Sequence, residues 1–406
     1  MIGKRWGTGI LEYMRRLGNN EKDNKMKIIH IVHGRANPNG HNGISLVVYN
    51  MNKYEKLKGV DSQIWAIEDG TKSHYTYGRD EYVTVECFPR VYSPFGKNEI
   101  IRKLIENKEN IDLVHFHLIW FYDKNIIAKA LKKAGIPFII TTHGTYSKPH
   151  AYTGKRLIAK WLFECNYLNM AKEIHIITRE EGTGLQTYGY KGRSFVAYNG
   201  VDIEKIPVKR DRNYFANKTY ANKIKLIWVG VLREDKNLRS LITAVSMLPK
   251  ELKEKFVCIL VGPDYKNNAE KYIQLSKKLG CEENFDYIGP LYAQEKYDAI
   301  ESADAYVMPS LSEVFSLAVI DAMACAKPCL VTSGCGLNYI ADEKFSVICE
   351  PYAQDIYRGL EELFSLQDSW KEMGMKSKDI VNEKLNWKAI TDVMIDNYKR
   401  IIEESK

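Results

Sequence analysis

The chain has 406 residues, which is long enough for two domains that each bury a core of their own. Its hydrophobic and charged fractions, 45% and 27%, are ordinary for a globular protein, and no apolar run approaches the roughly 18 residues that span a membrane. The formal net charge is +8, and the excess of lysine and arginine lies in the first 210 residues. Such a basic half indicates either an anionic partner, such as lipid headgroups or a pyrophosphate, or a solvated lysine-rich surface.

The eight cysteines are scattered, without the paired spacing that metal sites and redox motifs use. Cys325, Cys329 and Cys335 lie close together, but on a predicted helix and strand they are expected to be buried thiols. No secretory signal precedes the first predicted strand, so we expect a cytoplasmic protein without disulfides.

Residues 1–25 differ from the pattern that follows them. Five apolar side chains recur there at helical spacing, with basic residues around them: Trp6, Ile10, Tyr13, Met14 and Leu17. A helix of this kind would lie on an anionic membrane surface. The alternative, which we favour, is that the folded protein starts at Met26, because a strand begins there at once.

From Met26 onward, strand and helix patterns alternate, which is typical of a parallel α/β sheet. Apolar runs predict six strands in the first series, at residues 26–32, 62–67, 113–117, 138–142, 173–178 and 194–198. Helices are predicted between them, for instance at 44–57 and 126–134.

All nine histidines lie in the first 175 residues. His143 ends a predicted strand, and Gly43 opens a predicted helix after the first strand, so both are expected at the carboxyl edge of the sheet. His115 and His117 alternate onto one face of a strand, like a metal-binding pair. We find no third ligand at a suitable spacing and predict no metal there.

Polar residues replace the apolar pattern at 199–217, and a second series of strands follows at 225–230, 256–261, 285–288, 305–308 and 329–331. Helical periodicity returns at 387–402. Doubly wound sheets bind ligands at the carboxyl ends of their strands. We therefore expect the functional site in a cleft between the two halves.

The segment 306–331 is the most informative part of the chain. A strand breaks at Pro309-Ser310, a helix then runs to about residue 326, and Glu313 and Asp321 lie eight residues apart across the loop and the helix start. A helix N-terminus offers unpaired N–H groups, and carboxylates accept hydrogen bonds from hydroxyls such as those of a sugar or ribose. The pattern therefore predicts a nucleotide-sugar site.

This segment resembles the paired-acid signature of the retaining glycosyltransferases of family four. That signature reads Pro-Ser, a few residues, Glu, seven residues, Glu, then Ala-Met-Ala, a small residue and Pro. Here Asp321 replaces the second Glu, and Val314-Phe315-Ser316 replaces the usual Gly-Phe-Gly. The resemblance covers nearly the whole chain from Met26 and is strongest over residues 225–352.

The resemblance implies an α/β fold of the GT-B type, in which two doubly wound Rossmann-like domains face each other across a cleft. An acceptor-side domain would span residues 26–205, after an extension at 1–25, and a nucleotide-sugar domain would span 206–387. A C-terminal helix at 388–406 would pack back on the first domain.

The resemblance also implies residue roles. Lys236 would hold the departing diphosphate, and Arg233 would assist it because Val231 occupies the usual arginine position. Glu313 would contact the donor sugar, Asp321 the ribose hydroxyls, and His143 the sugar in the transition state. The other donor-site positions are Gly43, which approaches the phosphate, Val314, Phe315, Ser316 and Leu317 at the helix start, and Gly289 and Leu291 beside the base.

Asp-x-Asp, the pair through which metal-dependent glycosyltransferases hold their nucleotide, is absent. We therefore expect neither a metal nor another cofactor. The predicted function is transfer of a sugar, with retention, from a nucleoside-diphosphate sugar to a hydroxyl of a glycan acceptor, in bacterial surface polysaccharide synthesis. The basic half leaves open a lipid-linked acceptor and peripheral contact with the inner face of the plasma membrane; no nucleic-acid partner is expected.

Three alternatives remain on the same scaffold. An epimerase would convert the nucleotide sugar without an acceptor, and a phosphorylase would carry pyridoxal, for which no lysine context is evident. A non-catalytic subunit would bind the nucleotide sugar and regulate a partner; Val231 and Asp321 keep this possibility open. The base, the sugar, the acceptor and the oligomeric state are not encoded in any pattern of this sequence.

Overall fold

The computed structural model describes residues 25–34, 43–70, 72–78, 82–92, 98–117, 122–147, 164–206, 213–337 and 346–406. The predicted helical face near the start of the chain and the loop Gly40-His41-Asn42 before Gly43 lie outside the described residues. No helix in the described part of the chain combines the length and the apolar content needed to cross a bilayer.

The N-terminal domain is built on a sheet of eight described strands, in the order β3-β4-β2-β1-β5-β6-β7-β8. Only the β3–β4 pair is antiparallel among these strands. The strands are β1 (Lys27–His33), β2 (Asp61–Glu68), β3 (Tyr75–Gly78), β4 (Thr84–Pro89), β5 (Leu113–His117), β6 (Phe138–Thr141), β7 (Glu173–Ile176) and β8 (Arg193–Val196). The described helices are α1 (Gly43–Leu57), α2 (Glu99–Glu106), α3 (Tyr122–Ala134), α4 (Cys165–Met170) and α5 (Arg179–Tyr188).

The C-terminal domain is built on a sheet of six described strands in the order β11-β10-β9-β12-β13-β14, all parallel. The strands are β9 (Ile224–Val229), β10 (Phe256–Val261), β11 (Phe285–Gly289), β12 (Ala305–Met308), β13 (Cys329–Thr332) and β14 (Ser346–Cys349). The helices are α6 (Leu238–Met247), α7 (Lys250–Lys253), α8 (Asn268–Lys278), α9 (Ala293–Ser302), α10 (Leu317–Ala324), α11 (Ala353–Ser365) and α12 (Trp370–Lys384). The strand order reverses between β9 and β12, which is the switch point where such sheets bind ligands.

The predicted fold class is confirmed: two doubly wound α/β domains form the molecule. The central strands β1, β5 and β6 are buried on both faces, which explains why they appear in the sequence as continuous apolar runs. The sequence does not predict β3, β4 or β14. β3 has no buried residue, β14 has one, and β4 mixes buried with exposed or half-exposed residues, so none of the three has the fully buried pattern of the central strands.

Helix α13 (Trp387–Glu403) packs on the N-terminal domain. Its buried residues Trp387, Met394 and Tyr398 share a core cluster with Val47 and Met51 of α1. Asn386 starts this helix, since its side-chain oxygen accepts a hydrogen bond from the N–H of residue 389 at 2.9 Å. The core of the N-terminal domain is therefore completed by a segment that follows the C-terminal domain in the chain.

The chain passes between the domains at two adjacent places. Val201 N donates to Leu385 O at 2.9 Å, and Trp387 N donates to Val201 O at 3.2 Å. A Cβ atom on Gly200 would lie 2.7 Å from Trp387 N, so only glycine allows this approach. The two crossings are thus joined by backbone hydrogen bonds.

Candidate active site

Two loops at the carboxyl ends of the sheets touch across the domain boundary. His143 and Gly144 follow β6 and both have positive φ, 48° and 77°. A Cβ atom on Gly144 would lie 2.0 Å from a methyl carbon of Val314, which follows β12 in the other domain. A left-handed His143 stores about 1–3 kcal/mol of backbone strain, a feature that clusters at functional sites. This contact brings His143 beside the loop that carries Glu313.

Lys236 and Glu313 form an ion pair at the switch point of the C-terminal sheet. Lys236 ends the short helical turn Glu234–Lys236 after β9, and its Nζ lies 2.8 Å from Glu313 Oε1. Both side chains are 14% exposed. Ser310 Oγ donates to the same carboxylate oxygen at 2.7 Å. Two residues predicted to hold one donor molecule therefore lie in direct contact.

Backbone and amide contacts fix the loops around this ion pair. Leu311 N donates to Asp235 O at 2.9 Å, which ties the loop after β12 to the turn after β9. Asn237 Nδ2 donates to Pro309 O at 2.9 Å and to Pro351 O at 2.8 Å, which adds the loop after β14. The position of Glu313 is thus set by three loops that follow three strands.

The start of α10 lies directly after Glu313. Phe315 and Ser316 are buried, and Ser316 precedes the first helical residue, Leu317, without a side-chain capping bond. A Cβ atom on Gly336 would lie 2.2 Å from Val314 O, so the loop after β13 can pack against this segment only because residue 336 is a glycine. The backbone around residues 314–317 is therefore held in place by its neighbours.

Arg233 does not contact Lys236 or Glu313 through any described ion pair. Its guanidinium binds Asp235 through Nε at 3.0 Å and through a terminal nitrogen at 2.7 Å, and its side chain is 50% exposed. Arg233 therefore lies on the predicted turn, but its charge is shared with a neighbouring carboxylate.

Asp321 faces the N-terminal domain from α10. Lys296 Nζ donates to one carboxylate oxygen at 2.6 Å and the Tyr297 hydroxyl donates to the other at 2.9 Å. Asp321 also lines a cavity of about 80 Å³ together with Asn50 of α1 and Gly200 at the crossing. A ribose hydroxyl that reached Asp321 would have to share it with Lys296 and Tyr297.

The two base-side positions lie at the end of β11. Gly289 has φ 84° and its carbonyl accepts from Gly262 N at 2.9 Å, which joins the ends of β10 and β11. Leu291 is half-buried against the core of the C-terminal domain.

The remaining predicted donor-site position, Gly43, is the first residue of α1 in the N-terminal domain, with open space around the position of a Cβ atom.

His143 lies at one end of a buried chain of hydrogen bonds that the sequence does not predict. Its Nε2 lies 3.1 Å from Nδ1 of His117. On the far side, His117 Nε2 lies 2.9 Å from His30 Nδ1, and His30 Nε2 lies 2.7 Å from Glu55 Oε2. The available signal is the strand register: His30 pairs with His115 across neighbouring parallel strands, so three histidines share one region of the sheet.

The interpretation that His115 and His117 have no third possible ligand was wrong, because His30 lies beside them. His30, His115 and His117 each offer a nitrogen, and these nitrogens lie within 4.8 Å of one another. Each of the six ring nitrogens, however, already has a hydrogen-bond partner in the protein. Burial lowers the pKa of His115 and His117 well below the ordinary value, and that of His143 to about 3.

Glu181 of α5 holds the loop that presents His143. One carboxylate oxygen accepts from the Thr142 hydroxyl, and the other accepts from Ile177 N at 3.0 Å. Burial raises the pKa of Glu181, while hydrogen bonds from Thr142 and from the backbone, including Gly144, oppose that rise. This carboxylate is a supporting residue that no sequence motif indicates.

Proteins of known sequence share long stretches with this chain. The uncharacterized glycosyltransferase MJ1069 of Methanocaldococcus jannaschii is 27% identical over 211 residues, which are 51% of this chain and 52% of that protein. MJ1178 of the same organism is 26% identical over 363 residues, 85% of this chain and 91% of that protein. O-antigen chain mannosyltransferase B of Escherichia coli is 25% identical over 175 residues, 43% of this chain and 45% of that protein. The chain thus spans about half the length of the first and third relatives.

Solved structures share the fold. Anabaena Alr3699/HepE in complex with UDP superposes with a TM-score of 0.73 at 16% identity, over 92% of this chain and 100% of that chain. Sucrose-phosphate synthase from Thermosynechococcus elongatus superposes with a TM-score of 0.71 at 16% identity, over 94% and 100%. At this identity the likeness establishes the GT-B architecture alone.

Two family models match adjoining parts of the chain. The model described as Glycosyltransferase Family 4 matches residues 41–205, and the model described as Glycosyl transferases group 1 matches residues 209–379. Their ranges include the loops that carry His143, Lys236 and Glu313. The chain therefore belongs to the GT-B glycosyltransferases of family four, group 1.

Proposed function

We propose that the protein is a retaining glycosyltransferase that moves a sugar from a nucleoside-diphosphate sugar to a hydroxyl of a glycan acceptor. The observation that carries this proposal is the contact between Lys236 Nζ and Glu313 Oε1, 2.8 Å apart at the switch point of the C-terminal sheet. An ammonium group beside a carboxylate and a helix start suits a ligand that has both phosphate and hydroxyl groups.

In this proposal, the donor diphosphate takes Lys236 as a partner, and the sugar hydroxyls donate to Glu313. The bond between the anomeric carbon and the diphosphate oxygen breaks while the acceptor oxygen attacks on the same face. The acceptor proton passes to the departing diphosphate oxygen, so the step balances without a protein base. Lys236 and the N–H groups at the start of α10 stabilise the negative charge that develops on the diphosphate.

Charge neutralisation by these protein groups makes a divalent ion unnecessary in the proposed site. Turnover in the presence of a chelator tests this part directly. Activity that is lost in chelator and restored by manganese would contradict it.

The acceptor and sugar are proposed from relatives and charge. O-antigen chain mannosyltransferase B, by its name, transfers mannose to the O-antigen chain, and the basic N-terminal half of this chain suits an anionic, lipid-linked acceptor. We therefore propose a hexosyl transfer in bacterial surface polysaccharide synthesis, on the cytoplasmic side of the membrane.

The deciding experiment incubates the purified full chain with UDP- and GDP-sugars, with and without acceptor glycans, and measures released nucleoside diphosphate and the product anomer. Release that rises with acceptor, with retained configuration, supports transfer. An epimerase would change the free nucleotide sugar without any acceptor. A donor that binds but never reacts with any acceptor in the panel would mean a non-catalytic subunit, and an inverted product would contradict retention.

A further inference from the structure

A second branch of hydrogen bonds extends the buried chain behind His143. Glu55 Oε1 lies 3.1 Å from the Tyr398 hydroxyl of α13, and that hydroxyl lies 2.8 Å from His115 Nδ1. His115 Nε2 then lies 2.5 Å from Thr141 Oγ. Thr141 Oγ lies 2.7 Å from Nδ1 of His175, whose Nε2 lies 2.8 Å from Ala197 O. The branch ends on a backbone carbonyl, which only accepts hydrogen bonds.

That carbonyl fixes the direction of every bond in the branch. His175 Nε2 carries the hydrogen donated to Ala197 O, and because burial lowers the pKa of His175 to about 4, its Nδ1 is bare at neutral pH. Thr141 therefore donates to His175 and accepts from His115 Nε2. His115 is neutral for the same reason of burial, so its Nδ1 accepts the hydroxyl hydrogen of Tyr398.

The count of hydrogens now falls short by one. The single hydroxyl hydrogen of Tyr398 is donated to His115, yet the Tyr398 oxygen also faces Glu55 Oε1. Neutral imidazoles, hydroxyls and a carboxylate cannot supply both bonds. One further proton in this branch satisfies both bonds, and it offsets the charge of a carboxylate that is 0% exposed. Among the described residues no lysine or arginine pairs with Glu55 to do so.

The first branch starts from the other oxygen of the same carboxylate. Glu55 Oε2 remains an acceptor for His30 Nε2 and for the Ser62 hydroxyl at 2.5 Å. His30 Nδ1 is then bare and accepts from His117 Nε2, and His117 Nδ1 accepts from His143 Nε2. Burial is the main cause that lowers the pKa of His117 and of His143, and a lowered pKa disfavours a second proton on either ring. The hydrogen of His143 is thus held on Nε2.

We propose that Glu55, His30, His117 and Tyr398 are positioning residues that lock His143 in the Nε2–H tautomer, so that its Nδ1 accepts a hydrogen bond from a hydroxyl in the cleft. Among the described residues no partner of His143 Nδ1 is found, and the adjacent Gly144 contacts Val314 beside Glu313. The identity of that hydroxyl, on the sugar or on the acceptor, rests on the proposed function. The tautomer does not.

The test is nuclear magnetic resonance of the full chain labelled with ¹⁵N-histidine. Ring nitrogen shifts and two-bond proton–nitrogen correlations identify the tautomer, and the spectrum of His143→Gln assigns the signal of His143. The expected result at neutral pH is Nε2–H. A His143 ring with hydrogen on Nδ1, or on both nitrogens, overturns the proposal. A spectrum that changes in chelator would mean that the three core histidines hold a metal and would also overturn it.

Two variants test whether Tyr398 of α13 and Glu55 determine the tautomer of His143. Tyr398→Phe removes the hydroxyl, so the extra proton moves to His30 and the hydrogen of His143 shifts to Nδ1. Glu55→Gln supplies the missing hydrogen as an amide N–H while its oxygen still accepts from His30, so the Nε2–H tautomer persists. Tyr167→Phe is the matched control, because Tyr167 is buried in the same domain and its hydroxyl has no partner among the described residues. A His143 signal unchanged in Tyr398→Phe contradicts the relay.

Kinetics separate this inference from the proposed function. With a transferase substrate pair, Tyr398→Phe is expected to lower kcat about tenfold while the donor KM changes less than about twofold, since the donor contacts on the other domain remain. If no donor is turned over but the tautomers behave as stated, the proposed function fails and the inference stands. If transfer proceeds but the tautomers differ, the inference alone fails.

Discussion

Lys236 and Glu313 form a partly buried ion pair, so in the proposed function a donor diphosphate would have to compete with a carboxylate for the ammonium group. Removing Glu313 would leave Lys236 with an uncompensated charge, whereas removing Lys236 would leave the carboxylate beside the diphosphate. The pair therefore favours ligands in which an anion and a hydroxyl arrive together. A phosphate ion alone satisfies only half of the pair.

Lys236→Ala should weaken donor binding and turnover. A charge-assisted contact to phosphate contributes about 1.5–3 kcal/mol, so kcat/KM for the donor should fall roughly ten- to hundredfold. Steady-state kinetics with varied donor measure this, and Lys250→Ala, 83% exposed on α7, is the neutral control. Unchanged kinetics in Lys236→Ala would show that the turn does not hold the donor.

Arg233→Ala should change kcat/KM less than about fivefold, because an exposed pair with Asp235 contributes at most about 1 kcal/mol.

At the scale of elements, the apolar runs are sufficient to predict the buried central strands and helices such as α1, α3 and α13. The loop after β12 was also predictable, because Pro309, Ser310, Glu313 and the following helix lie in one continuous segment. The chain from His143 to Tyr398 was not, because its members come from five separate elements and the longest bond joins residues 343 positions apart. Sequence patterns report neighbours along a strand or helix, and this network depends on contacts between them.

Gly144→Ala should separate the two loops that meet across the domain boundary. A Cβ there has unfavourable φ and would collide with Val314, and together these are expected to destabilise the protein by about 2–4 kcal/mol. Urea unfolding measures the stability, and turnover should fall with it. Val314→Gly removes the collision, so the double variant should be at least about 1 kcal/mol more stable than the sum of the single changes predicts. Strict additivity would contradict this contact.

The whole molecule depends on α13, which follows the C-terminal domain in the chain and packs on the N-terminal domain. Trp387→Ala should destabilise the N-terminal domain by about 3–5 kcal/mol, because Trp387 is 2% exposed within the core that α13 shares with α1. Denaturant unfolding followed by hydrogen exchange of β1 and β5 measures this loss. Val393→Ala on the same helix, 41% exposed, is the matched control and should cost less than about 0.5 kcal/mol. Equal effects of the two variants would contradict the packing of α13.

Acid should destabilise the N-terminal domain first. Burial lowers the pKa of His143 to about 3 and of His175 to about 4, whereas in the unfolded chain both titrate near 6.5. Between these values the unfolded chain binds protons that the folded chain does not, so stability falls as the pH falls from about 6.5 towards 4. Hydrogen exchange, corrected for intrinsic rates, should increase in β1, β5 and β6 at pH 5. The C-terminal sheet, which contains no histidine, should change less, and equal change in both domains would contradict this cause.

The return of α13 has a consequence for the order in which the protein is made. The ribosome releases every strand of the N-terminal sheet long before it reaches Tyr398. Until then Glu55 lacks one of its partners, and the apolar face of α1 lacks its cover. Domains generally fold in the order of synthesis, but here the nascent first domain waits for the second to be translated. A truncated chain that ends shortly before residue 387 would therefore contain a folded second domain and an incompletely folded first domain, which chaperones would bind and proteases would degrade.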